Sequence, residues 1–336
     1  MRKIVLNTII AIALGLGVVL IIQLVVRKQN VIEPFRTFSD VVLFKALVFV
    51  IGLYLFNILR LFITLKMMGY KLRFREVMEN ILLGNFFSAI TPFALGGQPF
   101  QVMHLSKLGM KSYEATNIIA SRTLTGLFTT LAIDLLFFKR VLRIIPRGTI
   151  GAAMVYIGFT IGVAVALFAV IAFINLSWIR WISGTIGKLF HLKGKNFNRQ
   201  VEEWSSSLKD SVNYLWSEKW YVMLTDTTLS IFYILVQPYL LFMLMNHSVK
   251  VPLSYLDFFG LVVMLNTICY YTPTPGASGG VEGIFHVVFK EIVGSSVAIS
   301  SIFVWRMLTF YLPIFVGLIL LWRMKRWENV LEEREG

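Results

Sequence analysis

Long apolar stretches separated by short polar segments dominate the chain. About 20 apolar residues are needed to cross the ~30 Å hydrocarbon core of a bilayer. The first apolar stretch follows Arg2 and Lys3 as in a signal peptide, but it is too long and has no small-residue cleavage site. The pattern therefore predicts six full transmembrane helices, near residues 4–26, 40–65, 114–138, 149–175, 220–246 and 297–322.

Two further apolar segments, residues 74–109 and 254–292, are interrupted by proline and glycine. The interruptions read "TPFALGGQPF" (Thr91 to Phe100) and "TPTPGASGGVEGIF" (Thr272 to Phe285). We call residues 91–97 the first break and residues 274–280 the second break. Each segment is either a re-entrant hairpin of two short helices or a broken helix that crosses.

The distribution of basic residues favours the hairpins, because Lys and Arg are enriched in cytoplasmic loops. With two hairpins and a cytoplasmic N-terminus, 19 Lys and Arg fall inside and 10 outside, whereas two crossing segments give 15 against 14. Both termini are then cytoplasmic. The basic segment 139–147 is the exception, since this topology places it in an outside loop.

The two breaks also repeat one another. A shift of 183 residues aligns Thr91, Pro92, Ala94, Gly96 and Gly97 with Thr274, Pro275, Ala277, Gly279 and Gly280. A shift that is longer by one residue aligns "RTLT" (122–125) with "RMLT" (306–309). Three predicted crossings separate the hairpins, so the repeats, about 66–138 and 250–323, have opposite orientations. An inverted-topology repeat is typical of transporters that bind their substrate near the midplane.

Irregular backbone at membrane depth is stable only inside protein or along a wet cavity, because each unpaired polar group costs several kcal/mol in hydrocarbon. Glycines at the breaks permit close approach of a ligand, and the helices that follow direct amide groups toward it. The alternative is that the breaks are tight turns between packed helices.

Arginines within the predicted spans point to an anionic ligand. Arg122 and Arg306 fall within predicted spans, where a charge normally faces a partner or water. Two guanidinium groups beside helix N-termini suit a phosphate. Glu282 is the natural counter-charge of one arginine, so a structural Arg306–Glu282 bridge is the alternative. The predicted substrate-binding residues are Arg122, Arg306, Glu282, Gln98, Thr91, Gly96, Gly97, Thr274, Gly279 and Gly280.

Composition agrees with a membrane protein: 57% of residues are hydrophobic, 15% are charged and the mean hydropathy is +0.74. The net charge is +14, and the basic residues lie between apolar spans. This distribution indicates anionic lipid headgroups as partners and no nucleic acid. The single cysteine, Cys269, excludes an internal disulfide. Neither a metal-ligand spacing nor a phosphate-binding loop is found, so we expect no cofactor, no metal and no enzyme activity.

Three secondary features remain open. His104 and His286 follow the two breaks and are either interfacial or linked to proton movement. Asp134 and Asp226 lie in spans, where carboxyl groups more often hydrogen-bond between helices than line a cavity. The segment 176–219 has two amphipathic patterns with tryptophans, which predicts a cytosolic linker that lies on the membrane surface.

"TPFALGGQP" and "PTPGASGGVEG", each followed by a span with an embedded arginine, resemble the signature breaks of the lysylphosphatidylglycerol synthase transmembrane, or flippase-like, family. The resemblance implies an all-α polytopic flippase-like domain across residues 1–336. Because no soluble aminoacyl-transfer domain follows the last span before Gly336, we expect a stand-alone member. The residues that carry the resemblance are Thr91, Pro92, Gly96, Gly97, Gln98, Pro99, Pro273, Pro275, Gly276, Gly279, Gly280 and Glu282.

The sequence thus predicts a cell-membrane transporter that moves an anionic phospholipid or a lipid-linked substrate, such as a polyprenyl phosphate or a glycolipid, between leaflets. One alternative is a membrane subunit or remnant of a phosphatidylglycerol lysyltransferase-type enzyme. Another is a scaffold for a lipid synthase. A lipid synthase or glycosyltransferase partner and a homodimer both fit these roles.

Overall fold

The structure is a computed structural model that describes residues 37–145, 149–174, 214–270, 272 and 274–335, and the regular elements of this part of the chain are helical. Two π-helical turns, Tyr214–Glu218 and Met307–Tyr311, accompany the α-helices. The α-helices are α1 Asp40–Met67, α2 Phe74–Ala89, α3 Gly97–Lys107, α4 Ser112–Ile144, α5 Ile150–Ile174, α6 Trp220–Val236, α7 Tyr239–Ser248, α8 Tyr255–Tyr270, α9 Gly280–Val293, α10 Ser295–Arg306 and α11 Leu312–Glu335.

Three segments of the described residues are long and apolar enough to cross a bilayer: Asp40–Met67, Trp220–Ser248 and Ser295–Arg323. They confirm the spans predicted at 40–65, 220–246 and 297–322. The stretches predicted at 114–138 and 149–175 form helices α4 and α5, of 33 and 25 residues. The stretch at 4–26 lies outside the described residues, as does the predicted linker up to residue 213.

One sequence-based boundary is corrected. The basic segment that begins at Lys139 was predicted to be a loop, but α4 continues through it to Ile144. The side chain of Val141 is fully buried there, and Arg140 forms an ion pair with Asp257 at the start of α8. These contacts with neighbouring helices stabilise the additional turns of α4.

Each break lies between two short helices. The first break joins α2 to α3, and the second joins α8 to α9. α2 packs against α3 and α11, while α9 packs against α10. An apolar cluster at the end of α2 includes Phe86 and Ile90, and it also contains Phe310 and Ile314 from the region where α10 leads into α11. This packing brings the end of α2 beside the second half of the chain.

Candidate functional site

The two breaks are in direct contact. Pro92 and Pro275 form an isolated antiparallel bridge. The neighbouring Gly276 has a φ of +56°, and a Cβ added to it would lie 2.9 Å from the carbonyl oxygen of Ala89 and against the ring of Phe310. Only glycine fits at this position without displacing either neighbour. The junction therefore depends on close approach of the backbone of one break to the end of α2.

Both breaks have the same internal hydrogen bonds. In each break, the threonine and the proline each accept a hydrogen bond at the backbone carbonyl. The donor in each case is the backbone amide three residues further along the chain. The pairs are Ala94 to Thr91, Leu95 to Pro92, Ala277 to Thr274 and Ser278 to Pro275, at 3.2, 3.3, 3.1 and 3.0 Å. The 183-residue shift found in the sequence thus also relates these turns in the structure.

Left-handed backbone conformations occur at matching positions as well. Phe93 and Ala94 both have a φ of 54°, and the residues that the shift aligns with them, Gly276 and Ala277, have φ values of 56° and 54°. Such values are uncommon for residues with a Cβ and are unfavourable for a bulky side chain. The repeat therefore extends to an unusual backbone conformation. Identical residue types are not its cause, because Phe93 is aligned with Gly276.

The breaks differ where they meet the following helices. Gly96 has a right-handed helical conformation, and its amide donates to the Thr91 hydroxyl at 2.9 Å. Gly279 has a φ of 85°, and its amide donates to Oε2 of Glu282 at 2.8 Å. The protein's own carboxylate thus occupies the N-terminal end of α9, one of the two helix ends predicted to face an anionic ligand.

Arg306 is the other partner of Glu282, in the ion pair that the sequence offered as an alternative. Its Nε lies 2.8 Å from Glu282 Oε1, and both side chains are more than nine-tenths buried. The same guanidinium donates to the carbonyl of Gly276 at 3.4 Å and lies 3.9 Å from the centre of the Phe310 ring. Arg306 therefore links α10 to the second break. Of the two roles considered for it, phosphate binding and a structural ion pair, these contacts fit the structural one.

Arg122 has a different partner from its counterpart in the repeat. Its Nε lies 3.3 Å from Asp226 Oδ1 in α6, and Asp226 also accepts two hydrogen bonds from Arg60, at 2.9 and 2.6 Å. We call Arg60, Arg122 and Asp226 the Asp226 cluster. Two guanidinium groups share one carboxylate in it, and Nη1 of Arg122 is buried with no hydrogen-bond partner among the described residues. The cluster therefore keeps one net positive charge inside the protein.

Sequence reasoning missed Arg60. It lies in a predicted span 166 residues from Asp226, so no local spacing connects the two. The available signal was the position of Arg60 within a predicted span, where a charge normally faces a partner or water.

A groove runs between α3 and α4. Its volume is about 970 Å³, and its lining is mainly apolar. Along α3, the groove extends over ten residues from Gln98 to Lys107, and the nine steps between them at 1.5 Å each give about 14 Å. It is lined by Gln98, Pro99, Val102, Met103, Ser106, Lys107, Ser112, Thr116, Ile119, Ala120, Thr123 and Leu124.

The equivalent surface in the second repeat is packed. Phe285 and Phe289 of α9 are completely buried, and the Phe285 ring stacks on Trp305 of α10 with the ring centres 5.1 Å apart. His286 Nε2 lies 3.0 Å from the hydroxyl of Ser295, which further joins α9 to α10. The two halves therefore differ, with an open α3–α4 groove and a closed α9–α10 contact.

The predicted site residues fall into three groups. Gln98 lines the groove; Arg122, Arg306 and Glu282 form buried ion pairs; the rest lie in the breaks. The Thr274 hydroxyl donates to the Ser278 carbonyl at 2.8 Å, so it shapes the second break. The residues in the breaks are Thr91, Gly96, Gly97, Thr274, Gly279 and Gly280.

The family described as "Lysylphosphatidylglycerol synthase TM region" matches residues 8–317, and the chain belongs to this family. The match covers both breaks and confirms the resemblance found in their motifs. A comparison with curated proteins found no match to the chain. The protein is therefore a helical membrane protein of a family associated with lipid handling.

Proposed function

We propose that the protein is a flippase that transports an anionic phospholipid, or a lipid-linked substrate such as a polyprenyl phosphate or a glycolipid, between the two leaflets. The observation that carries this proposal is the α3–α4 groove. It has the volume and apolar lining of a site for lipid chains, and one end reaches the first break.

The chemistry of the groove changes along its length. Val102, Met103 and Leu124 offer apolar contacts to an acyl or prenyl chain. At the end away from the break, Lys107 and the hydroxyl of Ser112 supply a cation and a hydrogen-bond donor for an anionic headgroup. A headgroup that enters beside Lys107 and moves along α3 would travel about 14 Å, roughly half of the ~30 Å hydrocarbon core.

In this proposal the chain has six full crossings and two re-entrant hairpins in an inverted repeat, with both termini in the cytoplasm of a cell-membrane protein. The Pro92–Pro275 bridge supports the inversion, because a two-fold axis in the membrane plane would pair equivalent residues in an antiparallel manner. The open α3–α4 groove and the closed α9–α10 contact suit a transporter that opens one repeat at a time.

Arg122 is the residue that we assign to the lipid phosphate. It lies beside Thr123 and one helical turn from Ile119, both of which line the groove. Its unpartnered Nη1 and the net positive charge of the Asp226 cluster supply what an anion requires. Arg306 has its contacts within the second break, so its predicted role in binding is the weaker of the two.

The test is leaflet exchange of a fluorescent anionic phospholipid in liposomes that contain the purified protein. Ala120 and Ala132 are both exposed on α4, but only Ala120 lines the groove. We expect exchange with the wild type and with Ala132→Trp, and its loss with Ala120→Trp. Exchange no faster than in protein-free liposomes would reject the proposal, and wild-type exchange by Ala120→Trp would show that the groove is not the route.

A lipid-modifying enzyme subunit is the second candidate, favoured by the description of the family as the TM region of a synthase. A lipid synthase or glycosyltransferase partner and a homodimer remain predictions. If the chain serves synthesis alone, it will stimulate lysyl transfer to phosphatidylglycerol by an added transferase, and its liposomes will show no exchange.

A further inference from the structure

Asp134 is a buried carboxyl group that the proposed lipid path does not use. It lies on α4 with 1% of its surface exposed, and its Oδ2 lies 2.7 Å from the hydroxyl of Thr267 on α8. Its Oδ1 is buried and has no hydrogen-bond partner in the part of the chain that the structure describes. A charged carboxylate in such a position is strongly unfavourable unless a cation compensates it.

The surrounding helices supply no such cation among the described residues. On α4 itself, Arg140 pairs with Asp257 of α8, and Arg122 lies 12 residues away in the Asp226 cluster of α6. The titratable side chain that α5 contributes is that of Tyr156, which packs on Phe138. Further along α8 the next titratable group is the buried thiol of Cys269.

The two contacts of the Thr267 hydroxyl are better satisfied by the protonated form of Asp134. The Thr267 hydroxyl has one hydrogen, yet its oxygen is within hydrogen-bond distance of both Asp134 Oδ2, at 2.7 Å, and the Val263 carbonyl oxygen, at 3.2 Å. If Asp134 is ionised, the single hydrogen satisfies only one of these acceptors. If Asp134 is protonated, it donates to Thr267, and Thr267 donates to Val263, so both contacts are hydrogen bonds.

Close helix packing encloses this pair. Gly158 and Gly162 of α5 are four residues apart and face α8, an arrangement that allows two helices to approach closely. A Cβ added to Gly162 would lie 3.1 Å from the methyl carbon of Thr267, and one added to Gly158 would overlap Ile268. Asp134 therefore lies at a tight junction of α4, α5 and α8.

We propose that Asp134 is a proton-binding site that holds α4 against α8. In the conformation described here its carboxyl group is protonated. On release, the O–H bond breaks and the proton passes to water; the carboxylate that remains cannot donate to Thr267 and requires hydration. α4 then separates from α8, and the reverse step restores the contact.

The position of the pair connects this proton to both parts of the site. α4 forms one wall of the groove, and α8 leads within seven residues of Thr267 to Thr274 in the second break. Movement of α4 relative to α8 therefore alters both the groove and the second break. This coupling to lipid movement rests on the proposed transport function, whereas proton binding by Asp134 does not.

Infrared spectroscopy of the purified protein tests proton binding directly, because a protonated carboxylic acid has a carbonyl stretching band that a carboxylate lacks. At neutral pH we expect the band in the wild type and in Glu291→Gln, which changes an exposed carboxylate, and its loss in Asp134→Asn. Thr267→Val keeps the acid but removes its hydrogen-bond partner, so the band should shift in position. An unchanged band in both Asp134→Asn and Thr267→Val would overturn the proposal, even if one variant folds poorly.

Lipid exchange in liposomes with and without a pH difference across the membrane tests the coupling. We expect the pH difference to change the exchange rate of the wild type but not that of Asp134→Asn, in which the amide imitates a permanently protonated acid. An equal response in both proteins would overturn the coupling. Absence of exchange in the wild type would reject the transport function, and the infrared result would still decide whether Asp134 binds a proton.

Discussion

Pro92 and Pro275 form an antiparallel bridge although 183 residues separate them in the chain. The same shift relates the turn hydrogen bonds and the left-handed residues of the two breaks. The contact therefore joins equivalent positions of a structural repeat. Its integrity depends on the close approach of Gly276 to the end of α2.

Replacement of Gly276 by alanine should destabilise this junction. The left-handed backbone costs alanine about 1–2 kcal/mol, and the new Cβ would overlap the Phe310 ring. Gly283→Ala is the matched control, since a Cβ there meets nothing within 4 Å and the helix α9 should gain about 0.5–1 kcal/mol. Thermal unfolding in detergent should show a lower Tm for Gly276→Ala only. Equal Tm values would mean that the junction does not limit stability.

The sequence predicted the breaks but not their contact. Thr-Pro and Gly-Gly pairs are local signals that end a helix, so both breaks were located within a few residues. The Pro92–Pro275 bridge depends on how distant helices pack, and no local sequence pattern predicts such packing. Glu282 lies in the same repeat as Arg306 and was recognised as its counter-charge. Asp226 is in neither predicted repeat, which is why its pairing with Arg122 was missed.

The groove was also absent from the sequence-based picture. Its walls, α3 and α4, were predicted as a hairpin arm and a span, but the space between them depends on side-chain packing along the full pair. The equivalent helices α9 and α10 have a similar order along the chain and yet are packed closed through Phe285 and Trp305. Hydrophobic periodicity does not distinguish these two outcomes.

The proposed topology places Ser112 in the cytoplasm and Lys250 outside, and both are exposed. In a Cys269→Ala background, an impermeant thiol reagent applied to intact cells should label Lys250→Cys. Ser112→Cys and Ser206→Cys should react only after the membrane is permeabilised. The native thiol of Cys269 is only 3% exposed, so it should itself react little with the reagent. Labelling of Ser112→Cys from outside would rule out the hairpin topology.

Arg122→Gln should weaken lipid binding without unfolding the protein. Arg60 makes both shorter hydrogen bonds to Asp226, so it alone keeps that carboxylate neutralised. Loss of a charge-assisted contact of about 1.5–3 kcal/mol lowers affinity for an anionic lipid roughly tenfold to a hundredfold. Arg122→Lys should restore binding poorly, because it lacks the planar fork. Arg140→Gln, at an exposed ion pair, is the control and should bind like the wild type.

If Arg122→Gln instead lowers the Tm as strongly as Arg60→Gln does, both arginines are required to neutralise Asp226. Arg122 would then be a structural residue, and its unpartnered Nη1 would have no role in binding.

Arg306 and Glu282 provide the opposite expectation. Each single change to alanine leaves the other charge buried and unpaired, which should cost about 3–5 kcal/mol of stability. The double change removes both charges and should recover most of that loss, apart from the contacts of Arg306 with Gly276 and Phe310.

Tm and binding of an anionic lipid, measured on the two single variants and the double variant, separate a structural pair from a binding residue. Recovery of both properties in the double variant would remove Arg306 from the lipid site and leave Arg122 as the arginine that binds phosphate. A stable double variant without lipid binding would instead return Arg306 to the site, because only a ligand contact would then explain the loss.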